Sequence, residues 1–210
     1  MEKSANYRLC RRCVMDTSDP GIKFDEDGIC DHCHDFEEVV KPHWHTDELG
    51  RKELNSIIDE IKREGKDKDY DCLLGISGGV DSSYMLHLAI NEFGLRPLVF
   101  HVDGGWNSEL AVHNINVLVD KLRVDLFTEV INWEEMRDFQ LAFFKSGVPH
   151  IDIPQDHAFI ATLYNFADKY KIKYILNGGN ISTECVQYPM KYYYYGTDML
   201  QINDIRKRFC

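Results

Sequence analysis

The chain has 210 residues, with 24 Lys and Arg against 35 Asp and Glu, a formal charge of −11. Hydrophobic residues at 44% and aromatics at 12% exclude a disordered chain, and no run of about 18 apolar residues is present to cross a membrane. The acidic balance argues against a general nucleic-acid binder, because phosphate neutralisation needs clustered Lys and Arg.

The start, Met1-Glu2-Lys3-Ser4-Ala5-Asn6, leads into Arg and Cys rather than an apolar h-region. Seven cysteines, an odd number, fit a reduced, cytoplasmic setting in which paired thiols hold metal. Within segment 1–36, Cys10-x-x-Cys13 and Cys30-x-x-Cys33 are separated by residues 14–29, the spacing of a four-cysteine zinc ribbon or knuckle. Turn signals at Asp19-Pro20-Gly21 and Asp25-Glu26-Asp27-Gly28 lie between them. A segment this short buries too little surface to fold alone, so Zn²⁺ would supply the missing stability. An iron–sulfur cluster on the same cysteines is the alternative. His32 and His34 are expected at the surface or beside the ligands, since four sulfurs already complete the shell.

Residues 37–68 form a linking segment containing a predicted helix over 47–65, with Leu49, Leu54, Ile57, Ile58 and Ile61 at helical spacing and Gly65 closing it. From 69 to 186, strands are predicted at 70–76, 97–102, 124–131 and 172–177, and helices at about 82–93, 107–122, 133–146 and 157–170. This alternation predicts an α/β fold with a parallel sheet covered on both faces. The tail, 187–210, shows no clear period and carries the run Tyr192 to Tyr195.

Ser77-Gly78-Gly79-Val80-Asp81-Ser82-Ser83 follows the first of these strands and opens a helix. Glycines let the backbone approach a ligand closely, and the N–H groups of a helix start favour an anion. The hydroxyls of Ser77, Ser82 and Ser83 add donors. A Walker loop would need Gly-x-x-x-x-Gly-Lys-Ser/Thr. A loop with Asp81 and no such Lys suits a pyrophosphate with Mg²⁺ held by the carboxylate.

Three further places reach the same rim if ligands bind beyond the carboxyl ends of the strands. His101-Val102-Asp103-Gly104-Gly105-Trp106-Asn107 ends the second strand, with Trp106 either at the ligand or a core anchor at a helix start. Asn177-Gly178-Gly179-Asn180 ends the fourth, as a ligand loop or a plain turn. In the stretch from His150 to His157, Asp156 is either the N-cap of 157–170 or a substrate or Mg²⁺ contact. Cys185 is read as a small buried residue and the tyrosine run as a packing patch.

The string from Ser77 to Ser83 resembles the PP-loop of the ATP pyrophosphatase superfamily, which includes GMP, NAD and asparagine synthetases and tRNA thiolases. The resemblance implies a Rossmann-like sheet and cleavage of ATP between the α and β phosphates, with adenylation of a carbonyl oxygen. With Cys10-Arg11-Arg12-Cys13-Val14-Met15-Asp16, Phe24-Asp25-Glu26-Asp27-Gly28-Ile29-Cys30, Asn177-Gly178-Gly179-Asn180 and Glu184, the chain is similar to N-acetyl sugar amidotransferases of surface-polysaccharide and nonulosonate pathways. What this implies is an acetamidino product, a nucleotide-sugar substrate and a glutaminase partner supplying ammonia. By the same resemblance, backbone near Val102 and Asp103 meets adenine or ribose. Asp81 and Ser82 are the catalytic pair, and Asn177, Gly178 and Gly179 touch nucleotide. Family members are longer, so 187–210 is read as part of a longer region. The rivals are a PP-loop tRNA thiolase, disfavoured by the acidic charge, and a nucleotide-binding interaction protein without turnover.

Overall fold

The computed structural model describes residues 7–148, 150–179 and 199–210, which fall into two compact units, one within 1–55 and one built from 56–179 and the C-terminal helix. Asn180, Glu184, Cys185 and Tyr192 to Tyr195 lie outside the described residues.

In the first unit, two isolated antiparallel bridges, Leu9 with Asp16 and Phe24 with Cys30, bring the two cysteine turns together. Helix α1, Asp31–Asp35, starts directly after Cys30 and carries Cys33 inward. The small core is Cys10, Cys30 and Cys33 with Met15, Ile22, Phe24 and Ile29 against them. Such a core is too small to be stable by apolar burial alone. Helix α2, Glu48–Gly65, leads onward, its inner face marked by Ile58 and Ile61.

The second unit is a four-stranded, wholly parallel sheet of β1 (Cys72–Gly75), β2 (Pro97–Asp103), β3 (Leu126–Val130) and β4 (Ile175–Leu176), ordered β3-β2-β1-β4. Helix α3 (Val80–His87), extended by a wide turn over Leu88–Glu92, joins β1 to β2, and α4 (Glu109–Leu122) joins β2 to β3. Helices α5 (Trp133–Ser146) and α6 (Ile153–Lys169) return the chain to β4, on the far side of β1. The strands alternate sides in the expected way. Leu73, Leu98, Phe100 and Val102 share one face and pack with Phe159, Leu163, Phe166 and Ala167 of α6, while Leu74 and Val99 are buried on the other.

Strands β1, β3 and β4 are shorter than the sequence predicts and β2 runs one residue further, to Asp103; β4 is reduced to two paired residues, because only Leu73 and Leu74 find partners there. Two expectations are corrected. The tail is not without structure: Met199–Phe209 is a helix, α7, whose Ile202 and Ile205 are buried with Ala142, Phe143 and Ile153. Helix α6 begins at Ile153 rather than 157, so its N-cap is Asp152 and Asp156 sits inside the first turn. Pro154, in that first turn, is a residue that tolerates the unbonded helix start.

Candidate active site and cysteine cluster

Because β2 and β3 lie on one side of β1 and β4 on the other, the chain changes direction between β1 and β4. In such a sheet a crevice opens there, at the carboxyl ends of the strands. The loop Ser77–Gly79 leaves β1 into this crevice. Gly78 has φ +77°, and a side-chain carbon on it would fall 2.4 Å from the Ala111 carbonyl oxygen of α4, so only glycine fits. Asn114 of α4 fixes the turn by donating Nδ2–H to the Gly78 carbonyl at 3.0 Å.

Gly79 then caps α3 with an extended backbone. Ser77 N–H donates to Ser82 Oγ at 3.2 Å, and the two hydroxyls are 3.2 Å apart. Gly79 N–H donates to Ser77 Oγ at 3.3 Å. Ser83 is turned inward, its hydroxyl donating to the Gly79 carbonyl at 2.6 Å. Val80 and Asp81 stand exposed in the first turn of α3, where the helix dipole favours negative charge.

The loop after β4 meets this turn directly. Gly178 packs against the backbone of Asp81 and Ser82, and Asn177 Oδ1 accepts the Gly179 N–H at 2.8 Å. The expected site residues on 77–83 and 177–179 are therefore brought together at the strand ends.

Beneath the loop lies a cavity of about 290 Å³ lined by Gly75, Ile76, Ser77 and Ser82, by Phe100, His101, Val102, Gly104, Trp106 and Asn107, and by Gln155, Phe159 and Leu163 of α6. Its floor is aromatic and aliphatic and its rim polar, the usual make-up of a small-molecule site. Val102 lines it and Asp103 does not. The Asp103 carbonyl accepts the Ile131 N–H at 2.9 Å, and its carboxylate accepts the Gly105 N–H at 2.9 Å. Trp106 is no core anchor: it is 60% exposed, its Nε1–H donating to the buried Gln140 at 2.9 Å and its ring set edge-on against Trp133. Asp156 is outside the lining, 3.5 Å from His150; burial raises its carboxyl pKa, opposed by His150 and reinforced by Asp152. The sequence reading missed Phe100, Phe159 and Leu163. The last two stand four residues apart on one helix face, a signal for core as much as for ligand.

In the first unit, the Sγ atoms of Cys10, Cys13, Cys30 and Cys33 all lie within 4.8 Å of one another, with Cys10–Cys33 at 3.9 Å and Cys13–Cys30 at 3.5 Å. A metal about 2.3 Å from four tetrahedral sulfurs sets edges of about 3.8 Å, so the cluster fits zinc. Cys10 Sγ accepts N–H bonds from Arg12 and Cys30, and Cys13 Sγ accepts one from Met15. Burial opposes the Cys10 thiolate, but these N–H groups prevail and bring its pKa down to about 6. Burial pushes Cys30 up to about 11 and Cys33 higher still. His32 is not at the surface: it is buried beside the cluster, its Nε2 2.8 Å from Asp19. His34 faces Asp25 at 2.8 Å. Among the described residues, these cysteines are the one grouping of three or more potential metal ligands.

A parallel sheet reversing beside β1, with a glycine-serine loop opening a helix at the reversal, is the layout of the PP-loop ATP pyrophosphatase superfamily, to which NAD synthases belong. The NAD synthase family model matches residues 51–210, and the chain belongs to that family. No curated protein matches the sequence. Among solved structures, the chain is similar to the glutamine-dependent NAD+ synthetase of Acinetobacter baumannii in complex with ADP, at 21% identity and a TM-score of 0.51, over 63% of this chain and 25% of that one. It also matches the NH3-dependent NAD synthetase of Campylobacter jejuni at 15% identity and a TM-score of 0.45, over 62% and 57% of the two chains. For the NMN synthetase of Francisella tularensis the values are 20% and 0.43, over 58% and 51%. The chain thus spans a quarter to somewhat over half of these structures' lengths. No helix is long and apolar enough to cross a membrane among the described residues.

Proposed function

We propose that this chain is an ATP-dependent amidotransferase, which adenylates a carbonyl oxygen and replaces it with nitrogen from ammonia. The observation that carries the reading is the loop 77–83 at the β1–β4 reversal, with two serine hydroxyls at the mouth of a cavity of about 290 Å³. The aromatic floor suits adenine. The hydroxyls of Ser77 and Ser82 suit the β and γ phosphates, and Gly178 at the β4 exit packs against the same turn. Asp81 would hold Mg²⁺, which when bound would neutralise charge on the departing pyrophosphate.

The acceptor's carbonyl oxygen attacks the α-phosphorus and the bond to the β-phosphate breaks, releasing pyrophosphate. The lone pair of ammonia then adds to the activated carbon, a proton is lost, and AMP leaves with the acceptor's former oxygen. Positioning and electrostatic stabilisation account for the rate.

For the acceptor we favour the N-acetyl group of a nucleotide-linked sugar, giving an acetamidino sugar. What supports this is the joining of a four-cysteine motif to the PP-loop and to Asn177-Gly178-Gly179-Asn180. On the same resemblance a glutaminase subunit supplies the ammonia, and Cys10, Cys13, Cys30 and Cys33 hold a structural Zn²⁺, with an iron–sulfur cluster as the alternative. The family match favours a second acceptor, the precursor that NAD synthetases convert to NAD. Mass spectrometry after incubation with ATP, Mg²⁺, ammonium and each acceptor decides between them. AMP and pyrophosphate should appear together with a product carrying NH in place of an oxygen of the sugar; in the second reading the acceptor is the NAD precursor. Formation of ADP, or no nucleotide turnover with any acceptor, rejects the amidotransferase.

A further inference from the structure

We propose that His101 is a positioning residue for the phosphate loop, and that Asn107 holds the ring in the orientation in which it works. The role in nucleotide affinity rests on the function proposed above; the tautomer and the loop geometry do not.

Ile76 is the last residue of the β1 path before the loop, and its N–H still donates to the Phe100 carbonyl at 2.9 Å. Its own carbonyl has left the ladder and meets His101 Nδ1 at 2.8 Å. The peptide that begins with this carbonyl ends with the Ser77 N–H, which donates to Ser82 Oγ at 3.2 Å. Carbonyl and N–H belong to one rigid plane and point in opposite directions. Holding the oxygen therefore aims the hydrogen. His101 is buried at 9% exposure, so its grip does not compete with bulk water.

A carbonyl can only accept, so Nδ1 carries the hydrogen and Nε2 is left as an acceptor. Asn107 Nδ2 supplies the matching donor at 3.0 Å. Asn107 and His101 both line the cavity, so the device ties the phosphate loop to the rim of the β2 exit. Without Asn107, the Nε2 edge loses its partner, and the ring is free to turn away from the Ile76 carbonyl.

The test uses nitrogen-labelled full-length protein. Long-range proton–nitrogen spectra of the His101 ring, assigned with His101→Asn, should show the Nδ1–H tautomer alone in the wild type, and Asn107→Leu should shift the His101 ring resonances as the ring loosens. His101→Phe should move the Ser77 backbone amide resonance and weaken ATP binding about tenfold, the value of one hydrogen bond near the upper end of its usual range. In His101→Asn the side-chain amide takes the Nδ1 position and should restore both, with affinity within about threefold, since one of the two bonds is retained. An Nε2–H ring in the wild type overturns the proposal even if His101→Phe fails to fold. So does an unmoved Ser77 amide in a folded His101→Phe. A wild type that binds no ATP overturns the proposed function instead, while tautomer and Ser77 shift still decide this one.

Discussion

A side-chain carbon on Gly178 would lie 2.9 Å from the Asp81 carbonyl carbon and 2.9 Å from the Ser82 amide nitrogen. The exit of β4 and the first turn of α3 are thus in backbone contact, and glycine is what allows it. Both neighbours are backbone, so neither can rotate away. Gly178→Ala should push the two segments apart by a fraction of an ångström to an ångström, and such a displacement near reacting groups costs on the order of 100-fold in turnover. Steady-state kinetics with ATP as the varied substrate checks this; an alanine variant with wild-type kcat would show that the contact does not set the loop.

The two glycines of the phosphate loop should behave differently although they are adjacent. Gly78 sits at φ +77° against the Ala111 backbone, so Gly78→Ala carries both backbone strain and a clash; a cost of about 2–3 kcal/mol is expected. At Gly79 the backbone is extended and the nearest atom to an added carbon is the Ser77 hydroxyl at 3.3 Å, which can shift slightly. Gly79→Ala should cost less than about 1 kcal/mol. Urea midpoints at constant m-value report both, and equal losses would contradict the geometry.

The loop was legible in the sequence because its chemistry is local: glycines, hydroxyls and a helix start within seven consecutive residues. Element order was legible for the same kind of reason, since apolar runs and amphipathic runs alternate. The cavity floor was not. Phe159 and Leu163 reach it only because α6 crosses one sheet face, and nothing in their spacing distinguishes a ligand wall from core. Helix α7 was obscured because Ile202, Ile205 and Phe209 are three apolar positions in a charged segment, and their partners on α5 are more than fifty residues away in sequence. Asp152 and Asp156 are equally good caps by residue type, so the sequence alone does not fix the start of α6.

At the opposite end of the strands, Arg96 fastens the entry of β2. Its Nη2 donates to Asp71 Oδ1 at 2.5 Å and to the Gly65 carbonyl at 2.7 Å, and its Nη1 donates to the Lys68 carbonyl at 2.9 Å. The Asp71 carboxylate is only 4% exposed, while half of the Arg96 side chain faces water. Removing the arginine side chain leaves a buried carboxylate held by the backbone N–H of residue 96. Arg96→Met should therefore destabilise by about 2 kcal/mol, less than for a fully buried pair because solvent screens the open side. Arg96→Lys should recover little of it, since an ammonium cannot make the forked contact. Chemical denaturation decides, and a Met variant with an unchanged midpoint would leave the bridge without energetic weight.

The cysteine cluster makes a prediction whose sign comes from its protons. Burial drives the Cys30 thiol up to about 11 and Cys33 in the same direction, so without a cation both hold their protons at neutral pH. A metal binds thiolates, so uptake must displace those protons, and affinity must fall as pH falls. Purified protein should carry about one equivalent of zinc at neutral pH, the capacity of a closed four-sulfur site. The zinc should be released on acidification toward about pH 5, where protons compete for the sulfurs. Cys30→Ser and Cys33→Ser should each lose the metal and render residues within 7–55 sensitive to protease, because the apolar contacts of that unit are too few to hold it. Elemental analysis with a zinc indicator titration measures the stoichiometry, and bound iron with visible absorbance would identify a cluster instead. Full zinc retention in the double serine variant would place the metal elsewhere.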